Sequence, residues 1–164
     1  MRSICLALAL ALILNTQCAF ALTAAKSQNP VSFVDALQRN GFTATVSKNL
    51  NGDPQISTAS SGFNVIISFR GCSGGQNCQY VELLSYISCE GFDAECVAEA
   101  SDWQKVDHFA GANYIPDRNL IGLYYYIVPS TSGVADAMLI AAIEFFVIDV
   151  NSINVNIAAR KPKS

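Results

Sequence analysis

Charge is scarce in this chain. Charged residues make up 14% of its 164 positions, with 10 Lys and Arg against 13 Asp and Glu, a formal charge of -3. A nucleic-acid backbone needs a basic excess to neutralise it, so nucleic acid is not an expected partner. Histidine occurs once, at His108, and no Gly-x-Ser-x-Gly elbow is present, so neither an imidazole-rich metal centre nor a serine hydrolase of that type is expected. Gly74-Gly75 lacks a following Lys-Ser or Lys-Thr and is no phosphate loop. What the chain has instead is apolar residues, 51% of the total, which exclude a disordered segment and suit one folded domain of this length.

The first 21 residues read as an export signal. Arg2 precedes an unbroken apolar run from Ile4 to Leu14, and Ala19-Phe20-Ala21 places small residues where a signal peptidase reads. The run reaches only about 17 Å at ~1.5 Å per residue, short of the ~30 Å hydrocarbon core. Cleavage after Ala21 is expected, giving a periplasmic or secreted acidic product. Four cysteines would then remain, Cys72, Cys78, Cys89 and Cys96, and an oxidising compartment turns an even set into two disulfides. Three connectivities are open. Short loops with turn residues favour Cys72 with Cys78 and Cys89 with Cys96, the first across Ser73-Gly74-Gly75-Gln76-Asn77.

After a flexible start over 22–29, Asn29 as a cap and Pro30 predict a helix over 30–40, stopped by Asn40-Gly41. Alternation then predicts strands beginning at Phe42, over Gln55 to Ala59, over Phe63 to Phe69 and over Cys78 to Ile87. In the last of these, Tyr80, Glu82, Leu84 and Tyr86 fall on one side and Val81, Leu83, Ser85 and Ile87 on the other. A second helix is expected from a cap at Asp93 to about His108, with Val97, Ala100, Trp103 and Val106 inward. A hairpin follows from Ala112 to Ile115 and Leu120 to Val128 around Pro116-Asp117-Arg118-Asn119. The closing helix, 132–150, is apolar nearly all round. Glu144 within Ala137 to Val150 favours a helix packed across the sheet over a stable membrane span, and its surplus apolar surface leaves room for pairing with a second copy. Residues 151–164 read as a tail ending in the basic Arg160-Lys161-Pro162-Lys163. The folded domain is therefore expected over 30–150, with the element order α-β-β-β-β-α-β-β-α of an α+β protein.

Asp53-Pro54-Gln55-Ile56, Phe63 to Phe69, Gly71-Cys72, Gln76-Asn77-Cys78 and the Trp103 to Phe109 segment resemble the YbjN family of bacterial proteins, across roughly 30 to 149. The Gly-Cys, short Gly/Asn loop and second Cys at 71–78 are the most specific part. The resemblance implies a type III secretion chaperone-like fold, an antiparallel sheet with helices packed on one face, and the role of a sensory transduction regulator without defined chemistry. Where the family carries Asn-x-Trp-Asn before an Arg/Lys-Phe pair, this chain has Ala100-Ser101-Asp102-Trp103-Gln104 and His108-Phe109.

The residues suit two functions. Trp103, Tyr114, Tyr124, Tyr125 and Tyr126 offer aromatic surface, and with no catalytic constellation they suit a non-catalytic module that binds a protein or peptide. The alternative is an exported enzyme or metal protein using Asp107-His108 and the acidic second helix. Eight acids and one base, Lys105, lie between Glu82 and Asp117, but Glu90, Asp93, Glu95, Glu99 and Asp102 do not match a calcium loop. His108 is expected to end the second helix, where a cation suits the dipole. No cofactor, metal or catalytic residue is assigned.

Overall fold

A computed structural model of the chain describes residues 24–27 and 29–160; the export signal and Lys161-Pro162-Lys163 lie outside the described residues. Among them the order is β1 (Ala24–Ala25), α1 (Val31–Arg39), β2 (Thr45–Lys48), β3 (Pro54–Ser60), β4 (Phe63–Arg70), β5 (Tyr80–Ser88), α2 (Asp93–Trp103), β6 (Gly111–Ile115), β7 (Leu120–Ile127), β8 (Val134–Ala135) and α3 (Asp136–Arg160). The fold is α+β. Six strands form an antiparallel sheet in the order β2-β3-β4-β5-β7-β6, and β1 pairs separately with β8. The expected core order holds, with two short strands added.

Strand alternation assigns the two faces. Ile56, Ile67, Leu83 and Tyr125 are successive cross-strand partners, as are Phe69 with Val81 and Ile87 with Ile121. These residues face the helices. Phe33 of α1 meets Phe69 edge-on at 5.0 Å, and α3 crosses this face with Leu139, Ile143, Phe146, Val150, Ile153 and Ile157 buried. Burying each such side chain contributes roughly 1.5–3 kcal/mol.

Helix α1 forms as expected. The Asn29 side chain accepts from the Val31 amide at 3.2 Å, and Gly41, at φ +83°, takes the left-handed stop that a Cβ would disfavour. The disulfides are the two local ones, Cys72–Cys78 and Cys89–Cys96. The first closes the β4–β5 hairpin and the second ties the end of β5 to α2.

Five expectations need correction. The first sheet strand starts at Thr45, not Phe42; Phe42 and Ala44 lie half-buried in the connection from α1. Helix α2 ends at Trp103, and its buried stripe is Cys96, Glu99, Ala100 and Trp103, while Val97 and Val106 are exposed. The Cys89 bond pins Cys96 inward and so rotates the stripe. Asp93 is the first helical residue behind Phe92 and makes no side-chain cap; its charge still suits the first turn. The start over 22–29 contains a strand, Ala24–Ala25, and Ala25 is fully buried. The closing helix begins at Asp136 rather than 132 and continues through the expected tail to Arg160. Asn151 to Asn156 is a poor helix in isolation, but Ile153 and Ile157 pack on the core and stabilise it there.

Candidate functional site: the open face of the sheet

The aromatic residues singled out in the sequence do not form one surface. Trp103 is buried, and its indole N–H donates to the Ala110 carbonyl at 2.9 Å. Tyr114 shares the helix-covered face with Ile121, its cross-strand partner, and donates to the Asn119 side chain at 3.1 Å. Tyr125 lies on that same face, stacked on Phe109 at 3.9 Å. Tyr124 and Tyr126 point the other way, onto the face where no helix packs among the described residues.

That open face is built by register. Tyr126 stands opposite Glu82, Tyr124 opposite Leu84, and Gly122 opposite Tyr86. Tyr80 meets Tyr126 edge-on at 5.7 Å, and Tyr124 lies 5.6 Å from Tyr126. Glycines shape the floor beneath them. A Cβ on Gly111 would stand 2.5 Å from the Tyr124 ring, so Tyr124 lies flat across its neighbour strand because Gly111 has no side chain. A Cβ on Gly122 would stand 3.1 Å from Ile115 Cδ1, and its absence leaves a trough. The resulting cavity of about 450 Å³ is lined by Glu82, Leu84, Tyr86, Asn113, Tyr124 and Tyr126 among others.

One charged pair lies within this aromatic patch. Arg70 Nε donates to Glu82 Oε2 at 2.8 Å and its Nη2 lies 2.7 Å from the same oxygen. Glu82 is 8% exposed, so the guanidinium compensates a carboxylate that the tyrosines largely shield. Partial burial raises the Tyr126 pKa above the ordinary phenol value, and the neighbouring Glu82 carboxylate raises it further.

The acidic helix and His108 build a different region. Glu99 accepts from Asn156 at 2.8 Å and from Arg160 Nε at 2.7 Å, and Asp102 accepts from Arg160 Nη2 and Lys105, both at 2.7 Å. The Lys105 hydrogen bond, then that of Arg160, holds the Asp102 carboxyl below its usual range. A cleft of about 440 Å³ lies beside this network. His108 does not end α2. It sits in the following loop, stacked on Trp103 at 3.4 Å, with Nδ1 3.9 Å from Asp149 Oδ1, while Asp107 is exposed. Among the described residues no group of three or more His, Cys, Asp and Glu side chains is placed to hold a metal ion.

The residues missed as a site, Tyr80, Glu82, Leu84 and Tyr86, carried a signal: their shared parity on one strand. That β7 lies beside β5, and that helices leave this face open, required the folded sheet. Comparison with protein-family models and with curated proteins finds no match to the chain.

Proposed function

We propose that the protein is an exported, non-catalytic module that binds a protein or peptide segment on the open face of β5, β7 and β6. The carrying observation is an uncovered tyrosine and aliphatic trough whose one buried charge is already paired. Tyr126 is 50% and Tyr86 41% exposed, and such side chains offer large contact area at low entropic cost with a polar tip for hydrogen bonding. The two disulfides are compatible with an oxidising compartment. They support reading residues 1–21 as a cleaved signal and the destination as periplasm or exterior. The resemblance to the YbjN family and its chaperone-like fold supports binding over catalysis.

The test is an unbiased array of short peptides probed with the oxidised protein. Binders rich in apolar and aromatic residues are expected, and Tyr124→Ser with Tyr126→Ser should weaken them by about tenfold or more, the scale of losing ~1.4 kcal/mol. A double variant with an unchanged melting curve and undiminished binding would overturn the assignment.

A further inference from the structure

Helix α3 carries two apolar stripes, and the sheet uses one. Leu139, Ile143, Phe146, Val150, Ile153 and Ile157 face the core. On the opposite side Met138, Ala141, Phe145, Ile148, Ser152, Val155 and Ala159 follow one another at alternating spacings of three and four residues. Met138 is 68%, Phe145 55%, Ile148 59% and Val155 54% exposed. A surface helix has no need of that pattern. A strict 3.5-residue repeat is the seam of a left-handed helix pair, and this one covers about three heptads, the shortest run that carries such a signal.

We propose that this outer stripe is the interface of a homodimer in which two copies of α3 pack antiparallel. The flanking residues choose the orientation. Glu144 and Asn151 border the seam on one side, Asp149 and Asn156 on the other. Parallel packing brings Glu144, twice by symmetry, toward Asp149 of the second copy, a carboxylate turned toward the Ala110 amide at 2.7 Å and His108 of its own chain; no positive side chain among the described residues borders the seam there to offset Glu144. Antiparallel packing about a dyad between Phe146 and Val147 instead sets Glu144 beside Asn151 of the second copy. The same register layers Met138 on Val155, Ala141 on Ser152 and Phe145 on Ile148 of the second copy, so small meets small and large meets large. The small layers let the helices approach while Phe145 and Ile148 fill the centre. Because α3 covers the inner face of the sheet, both tyrosine faces point outward in this dimer.

A lipid surface is the competing occupant, since α3 is long and apolar enough to cross a membrane by length and composition. Glu144, exposed beside the seam, is costly in a bilayer and tolerable at the rim of a protein interface. The experiment is sedimentation of the exported form, residues 22–164 with both disulfides oxidised, at micromolar concentration. A dimer mass is expected. Phe145→Asp should raise the dissociation constant by at least about thirtyfold, as for a central interface anchor, and Val155→Glu should weaken it at the seam's end. Both side chains are over half exposed in the monomer, so unchanged circular-dichroism melts distinguish lost pairing from lost folding. A photoreactive benzoylphenylalanine replacing Met138 should crosslink to the peptide containing Val155. A monomer at all concentrations, a crosslink from 138 to 138–141, or flotation of a monomer with phosphatidylglycerol vesicles that Phe145→Asp abolishes would each overturn the proposal. Failure of peptide binding on the sheet would leave it standing, because the two surfaces share no residue.

Discussion

Tyr126 leaves half its surface in solvent, yet its phenol resists ionisation because burial of the rest and the adjacent Glu82 carboxylate both oppose a second negative charge. The sign is testable. In an ultraviolet titration one tyrosine should ionise above the ordinary value near 10, and Glu82→Gln should move that tyrosine back toward it. An unmoved titration would mean that Glu82 does not face Tyr126. The parity of Tyr80, Glu82, Leu84 and Tyr86 was legible from alternation, which places successive side chains on opposite sides of any strand. The roles of Trp103 and Tyr114 were not. An aromatic residue is as well suited to a core as to a surface, and only the helix over β6 and β7 buries Trp103 against Ala110.

At the scale of elements, α3 shows how far tertiary contacts extend a segment beyond its own propensity. Its last turn is held by Arg160 on Glu99 and Asp102 of α2. Asp102 has its folded pKa lowered, so its contribution is complete above the ordinary aspartate value of about 3.9 and is lost as pH falls through the lowered folded value. Protection factors, exchange rates corrected for the intrinsic rate at each pH, should therefore fall over 156–160 below about pH 4 while the middle of α3 stays protected. Arg160→Gln should produce the same local fraying at neutral pH. Equal protection in the variant would show that packing of Ile157 alone holds the turn. The sequence predicts an end at 150; the partners that carry the helix to 160 lie 57 to 61 residues earlier.

For the whole molecule, the disulfides bracket the strand at the centre of the sheet. They close loops with sequence separations of 6 and 7, so each should contribute about 2 kcal/mol, modest because short loops lose little entropy on closure. Reduction should lower the denaturant midpoint with little change in its slope, and Cys72→Ser with Cys78→Ser should account for about half of that loss. No change on reduction would remove their structural role. The first helix, the later strands, the hairpin and a preference for the two local cysteine pairs were legible in the sequence, because turn chemistry and side-chain period act within a few residues; the choice among the three connectivities was left to the fold. Which sheet face the helices cover, where α3 ends, the rotation of α2 and the place of Trp103 were settled only by tertiary structure. Each depends on contacts between segments far apart in the chain, and local periodicity is the same whichever side the core lies on.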